Sequence, residues 1–419
     1  GQSMNLATQI EKKKLGYWDF TGKQERRIHD ICVYPATMVP NMQKELISMI
    51  IEENPKISNI LDPFHGSGVT LVEGANLGLK PMGIDINPLA NLITRVKLQG
   101  IDQKKITKAI NDIEKKITSN DYNFELHNFQ NIQKWYREDF IVTFSKIRTA
   151  IMEEQCANIR KYFWVCLIDP LKKYSNTRSS TFKLHVKEEK VISSMEDNIC
   201  LDYLTNIRKH YILLPAFKRE RKIELSIDDS VKALKNMENE CVEFICTSPP
   251  YGDNSTTVTY GQFSMLPIYW IDNKDMDKFD SDLTQNYSSI DSSSLGGRKK
   301  ELADFVNTNI LTEYLASIKE NKRPKVISFI TDYFEVLNNF NHVLKQQGFV
   351  MMTIGNRRVD NQVLPLTELT KDFFITSGYK LKAELTRNIT SKRMPRKVSR
   401  VNRTAVESMN TEYVLIFQK

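Results

Sequence analysis

Three groups of residues have types and spacings that can do chemistry. The first is Thr247-Ser248-Pro249-Pro250-Tyr251, which follows the apolar run Val242-Glu243-Phe244-Ile245-Cys246. That run reads as a buried strand, so Ser248 falls where a strand gives way to a loop, the place where open α/β sheets bind ligands. Consecutive prolines fix φ and offer carbonyls with no N–H of their own. Ser248 adds a hydroxyl and Tyr251 a flat ring with a polar tip. The set suits a planar heterocycle with an exocyclic amine, its NH2 donating to oxygens while its ring stacks on the tyrosine. A Pro-Pro pair also opens ordinary loops, so a second group has to decide.

That second group is Asp62-Pro63-Phe64-His65-Gly66-Ser67-Gly68, between a strand-like Ile57–Leu61 and a helix-like run from Val69. Glycines at such a junction allow a tight turn and close approach of backbone to a ligand. The third is Asp85-Ile86-Asn87-Pro88, after the short run Met82-Gly83-Ile84. An acid about 20 positions beyond a glycine turn is placed to accept from ribose hydroxyls. No lysine follows the glycines and the pattern is not G-x-G-x-x-G, so phosphate has no cradle. The expected ligand is a nucleoside without pyrophosphate, and S-adenosylmethionine fits.

The elements that must position these residues alternate along the chain. Strand candidates are 57–61, 82–86, 222–227, 242–247, 348–355, 379–387 and 411–418; helix-like segments are 42–53, 69–78, 88–98, 229–238, 324–345 and 364–377. Such alternation predicts an α/β fold, a mostly parallel sheet with helices on both faces, whose last two strands pair antiparallel for want of a helix between them. Two segments interrupt it. Residues 99–221 are mainly helical in pattern, with Ile106, Ile110, Ile113 and Ile117 on one face. Within them Ser175–Thr181 reads as a polar surface loop, with DNA contact the alternative. Residues 271–323 contain a Ser- and Gly-rich stretch with the composition of a mobile loop. The expected organisation is 17–98, 222–270 and 324–419 as parts of one core, with 99–221 and 271–323 as insertions.

Composition narrows the class. A chain of 419 residues with 41% hydrophobic content can bury a large core. No apolar stretch reaches the roughly 18 residues that span a bilayer. The first residues show no signal-peptide pattern, and Gly1-Gln2-Ser3 ahead of Met4 reads as an expression remnant. The six cysteines form no C-x-x-C pair and the histidines are scattered, which predicts reduced thiols, no metal site and a cytoplasmic protein. The net charge of +8 resides wholly in 380–403, which holds nine Lys or Arg and one acid. Lys392, Arg393, Arg396 and Lys397 are its centre and are candidates for neutralising DNA phosphates.

Taken together, these motifs resemble those of the amino-group DNA methyltransferases, which modify exocyclic nitrogens of cytosine or adenine. The resemblance rests on Asp62–Gly68, Asp85 and Ser248–Tyr251, and extends to His29–Pro40, Asp228-Asp229-Ser230 and the segment from Phe334 through Gly355 to Tyr413. It implies a seven-stranded Rossmann-like sheet and S-adenosylmethionine as cofactor. Tyr34, Pro35 and Ala36 would close over its methionine end, with Asp62 near the ammonium and Phe64, Gly66 and Gly68 lining the turn. Asp85 and Asn87 would stand at the ribose and Asp229 at the adenine, although the family usually has Gly where Asp228 stands.

In such enzymes the base is flipped from the duplex into the site. Ser248, Pro249 and Pro250 would receive the amine and Tyr251 the ring. Ser at the head of the catalytic motif resembles the cytosine-N4 branch; the adenine-N6 branch more often carries Asp or Asn. No cysteine occupies the loop, which argues against the cytosine-C5 branch. Double-stranded DNA is the implied partner, and a cognate restriction endonuclease acting separately is a candidate one. Which of 99–221, 271–323 and the basic stretch reads the sequence stays open. The rivals are an RNA methyltransferase acting on guanine N2, which usually carries an acid before Pro-Pro, and a non-catalytic DNA-binding protein on the same core.

Overall fold

Strands whose apolar residues run nearly without interruption, as in Phe244–Cys246 and Val414–Phe417, build a sheet buried on both faces. The computed structural model describes residues 5–22, 25–35, 37–177, 186–219, 222–249, 260–277, 309–355, 357–389 and 411–419. Its main sheet contains β1 (Asn59–Asp62), β2 (Lys80–Asp85), β3 (Glu224–Ile227), β4 (Val242–Thr247) and β5 (Leu344–Gly355). A small hairpin of β6 (Arg358–Val359) and β7 (Gln362–Val363) precedes β8 (Lys380–Asn388) and β9 (Thr411–Gln418). The seven-stranded order is β3-β2-β1-β4-β5-β9-β8. The first five strands run parallel, and β9 lies antiparallel between β5 and β8. This is the mostly parallel α/β sheet the alternation predicts.

Each expected strand is present within two residues at either end except β5. It starts at Leu344, four residues before the expected start at Gly348, which lies inside it. The cause is tertiary. Gln347 takes φ 68°, its N–H donates to the Lys419 carbonyl at 3.1 Å, and Leu344 already pairs with Val242 across a register shift. A Cβ on Gly348 would come within 2.8 Å of the Lys345 carbonyl, so this irregular strand needs a glycine there.

Helices cover both faces. On one side lie α1 (Leu6–Glu11), α2 (Pro40–Glu53), α3 (Val69–Asn76) and α4 (Pro88–Gln99), packed against Phe349 and Met351 of β5 and Val414 and Ile416 of β9. Between β2 and β3 the chain adds α5 (Gln103–Thr118), α6 (Ile132–Trp135), α7 (Glu138–Met152), α8 (Ala157–Lys173), α9 (Glu189–Ser194) and α10 (Ile199–His210). Ile106, Ile110, Ile113 and Ile117 are buried together on α5, the stripe read from the sequence. This helical block shares one continuous core with the first face of the sheet. Its two ends meet where Ile101 bridges Ala216.

After β3 the chain forms α11 (Ser230–Asn236) and then, after β4, α12 (Tyr260–Trp270), α13 (Asn309–Ser317), α14 (Arg323–Val343) and α15 (Leu366–Thr376). Of these α11, α13, α14 and α15 pack on Val350, Met352, Leu415 and Phe417, whereas α12 joins the helical block. Ser175, Asn176 and Thr177, expected in a surface loop, are buried. The Asn176 N–H donates to the Trp135 carbonyl at 2.6 Å and its side chain to the Lys134 carbonyl at 3.1 Å. Residues 178–185 and the Ser- and Gly-rich stretch within 278–308 lie outside the described residues. Among the described residues, no helix is long and apolar enough to cross a membrane.

Candidate functional site

The strand order reverses at β1, whose neighbours β2 and β4 continue in opposite directions along the sheet. Crevices at such switch points, beyond the carboxyl ends of the strands, are where open α/β sheets bind ligands. Asp62 ends β1, Asp85 ends β2, Thr247 ends β4 and Asp228 follows β3. The three sequence motifs therefore converge on one edge.

Asp62 is only 4% exposed. Its Oδ1 accepts from the Phe64 N–H at 3.0 Å and from the Thr247 hydroxyl at 2.7 Å. The second bond spans two strands and ties the head of the glycine turn to the residue before Ser248. Burial pushes the Asp62 carboxyl up to about 7 against the pull of these bonds, and the nearby Asp85 charge adds to the rise. Ser248 is half-buried and Pro249 buried beyond this link.

The turn is fixed from several sides. Gly66 and Gly68 take φ of 52° and 84°, and Gly68 caps α3 in the left-handed region. A Cβ on Gly68 would sit 2.6 Å from Thr94, so both space and dihedral demand glycine. Asp85 holds the turn electrostatically: Oδ2 accepts from the Gly66 N–H and Oδ1 from the Asn87 N–H, each at 2.9 Å. Ser230 donates to the Pro63 carbonyl at 2.6 Å, bringing α11 against the turn. Asp229 caps α11, one oxygen accepting from the Lys232 N–H at 3.0 Å. Phe64 is partly buried against the second face of the core.

Asn87 joins three segments. Its Oδ1 caps α4 through the Leu89 N–H at 3.0 Å, while Nδ2 donates to the Tyr34 hydroxyl at 3.2 Å and the Ser264 hydroxyl at 2.6 Å. Tyr34 and Pro35 are buried beside the turn, with the Tyr34 ring edge-on to Phe263 at 5.4 Å. Ala36, Pro250, Tyr251, Lys392, Arg393, Arg396 and Lys397, all singled out from the sequence, lie outside the described residues.

Several residues that build this edge went unread in the sequence. Lys97, 2% exposed, donates to the Ser67 carbonyl at 2.8 Å and approaches His29 Nδ1 at 3.4 Å. His29 in turn faces Glu73 at 3.3 Å. Burial lowers Lys97 to about 8 and His29 to about 4, which favours a neutral imidazole between lysine and carboxylate. A signal for Lys97 existed: Leu89, Ile93 and Lys97 fall at i, i+4 and i+8 on the apolar face of α4. Thr247 was read only as the head of the Ser248 motif, with no sign of its bond to Asp62, and Ser264 gave no signal. Cys246 is buried with its thiol pushed well up by desolvation, and it donates to Gln43 at 3.5 Å.

Comparisons with known proteins follow the same lines. A family model described as DNA methylase, of the N6/N4 methyltransferase class, matches residues 4–94. The curated Type II methyltransferase M.MvaI of Kocuria varians is 28% identical over 421 residues, covering 93% of this chain and 90% of its own. Type II methyltransferase M.MjaII of Methanocaldococcus jannaschii is 34% identical over 112 residues, 24% of this chain and 20% of that protein. A solved structure described as a putative DNA modification methylase from Thermus thermophilus, complexed with S-adenosyl-L-methionine, is 13% identical. It aligns over 46% of this chain and 53% of its own at a TM-score of 0.23.

Proposed function

This chain belongs to the amino-group (N6/N4) DNA methyltransferases, and from that premise we propose that it is a type II modification enzyme transferring a methyl group from S-adenosylmethionine to the N4 amine of cytosine in double-stranded DNA. The observation that carries the reading is the Thr247–Asp62 bond at 2.7 Å, which makes the glycine turn and the Ser248 loop two walls of one crevice.

The residues present fit the cofactor. The Asp85 carboxylate accepts one backbone N–H on each oxygen and keeps lone pairs for ribose hydroxyls. Asp229 stands at the next strand tip for the adenine amine. Gly66 and Gly68 admit close approach, and Phe64, Tyr34, Pro35 and Asn87 surround the turn; Ala36 is assigned to the methionine end by its motif alone. Asp62 faces the ammonium with the capacity its two bonds leave over. No lysine stands in 62–68 to hold a phosphate. When bound, S-adenosylmethionine supplies an electrophilic methyl on sulfur.

The work of the chain is to make a poor nucleophile attack. The amine lone pair is delocalised into the base, which must leave the duplex at a cost of about a few kcal/mol. Tyr251 stacks on the extruded ring. The Ser248 hydroxyl and the carbonyl of Ser248 or Pro249 accept from the NH2 and aim the nitrogen lone pair, so that positioning carries the reaction. Ser248 is too weak a base to remove the proton first, so the proton leaves during or after transfer. The head of the motif, Ser rather than Asp or Asn, favours cytosine over adenine. The roots of the basic stretch support DNA contact by Lys392, Arg393, Arg396 and Lys397. Asn388 pairs with Thr411, and Gly355 with Glu412, at the carboxyl edge of the parallel strands. A restriction endonuclease of the same specificity is the proposed counterpart.

Incubating the protein with labelled donor and plasmid DNA, then resolving the nucleosides, is expected to give N4-methylcytosine. N6-methyladenine would replace the base assignment, and unlabelled DNA would overturn the function. Ser248→Ala should cut turnover about 10- to 100-fold, the worth of one charge-assisted hydrogen bond, with donor affinity intact.

A further inference from the structure

Helix α12 starts nine residues after Tyr251 and is the next described element along the chain after the Ser248 loop. Its middle touches the cofactor side of the site: Ser264 accepts from Asn87, and Phe263 lies edge-on to Tyr34 with Lys172 of α8 4.6 Å above its ring. Its far end is buried in the helical block. Trp270 is fully buried, with the rings of His127, Phe129, Tyr136 and Phe144 at 5.1 to 5.6 Å. His127 also contacts the Tyr269 carbonyl at 2.7 Å.

The residues that follow are held by three arginines from three helices. Arg148 of α7 donates to the Trp270 carbonyl at 2.8 Å and reaches Asp272 at 3.4 Å. Arg160 of α8 grips both oxygens of Asp275, at 3.0 and 3.1 Å, and Trp164 donates to the same carboxylate at 2.9 Å. Asp275 is 1% exposed. Arg95 of α4 pairs with Asp277 at 2.9 Å.

Buried ion pairs are weak sources of stability but can specify a register, since a shifted segment would strand a charge. Here one buried pair is flanked by two more in the same short segment, and together they specify a position. On the proposed function as premise, we infer that α12 is the strut that sets the catalytic loop, that the helical block is its anchorage, and that Arg160 is a positioning residue for methyl transfer. The block then acts on the rate of transfer to a bound base rather than on capture of DNA.

The test compares Arg160→Met, Arg160→Lys and the double replacement Arg160→Met with Asp275→Leu, which removes the pair without leaving a lone buried charge. Melting temperature, donor and DNA dissociation constants and the single-turnover rate at saturation are read for each. The single-turnover rate should fall about tenfold or more in both Met variants, with both dissociation constants within about twofold of the parent, and Arg160→Lys should recover part of it. If the Met variants fail to fold, Asp277→Asn at the half-exposed third pair should still slow transfer about threefold. A folded variant with the parental rate overturns the anchorage. So does a loss confined to DNA affinity, which would make the block a reader of DNA. A parent that binds donor and DNA yet transfers no methyl overturns the function and this role with it; an active parent matched by its variants overturns the role alone.

Discussion

Asp62 sits where burial and charge act against each other. Its carboxyl is raised from 3.8 to about 7, so between those values the folded chain keeps a proton that the unfolded chain gives up. The stability tied to this group is therefore complete below about pH 4 and is lost as pH rises through 7. A cationic ammonium beside Asp62 favours the ionised form and reverses the trend. Donor binding at pH 6.5, measured by calorimetry in two buffers of different ionisation enthalpy, should release a fraction of a proton, and Asp62→Asn should abolish the release. Identical enthalpies in the two buffers for the parent would remove Asp62 from the ammonium site. Asp62, Asp85 and Ser248 could be picked out beforehand because each sits in a short motif whose chemistry is local. The roles of Thr247, Ser264 and Lys97 could not, or only faintly. Their partners lie 185, 177 and 30 residues away, and only the tertiary fold brings them together.

Secondary elements were readable wherever pattern and packing agree. The strands alternate or run apolar, and the Phe329, Tyr333, Val336, Leu337 and Phe340 spacing of α14 reproduces its buried face. The joint at Val343–Leu344 was misread because a hydrogen bond to Lys419, far along the chain, decides it. The glycine turn is the element under tightest steric control, and Gly68→Ala tests it. A left-handed residue costs about 1–2 kcal/mol and overpacking against Thr94 about 1–3 more, so a loss of about 2–5 kcal/mol in denaturant unfolding is expected. Adding Thr94→Ala should relieve the overlap but not the dihedral. Full recovery in the double variant would mean that φ at Gly68 is not strained by a side chain.

Across the whole molecule, charge and topology meet at one edge. Of the nine basic residues in 380–403, Arg387 is engaged with the Trp18 and Asp19 carbonyls and Glu412, and Lys382 pairs with Glu53. The charge available to phosphates therefore centres on 392–403. Replacing Lys392, Arg393, Arg396 and Lys397 with Ala should flatten the salt dependence of DNA binding by about 0.9 log unit for each phosphate no longer neutralised. An unchanged slope would leave the stretch without a role at the DNA backbone. The same region has a consequence for synthesis. β9 is the partner of β8 yet leaves the ribosome after it, behind residues 389–410. At roughly 5–20 residues per second the nascent chain carries β8 as an open edge for about one to six seconds. A stall in that window would leave β8 free to pair with a strand of a neighbouring nascent chain, so the timing of translation through 389–410 bears on whether the sheet closes on itself.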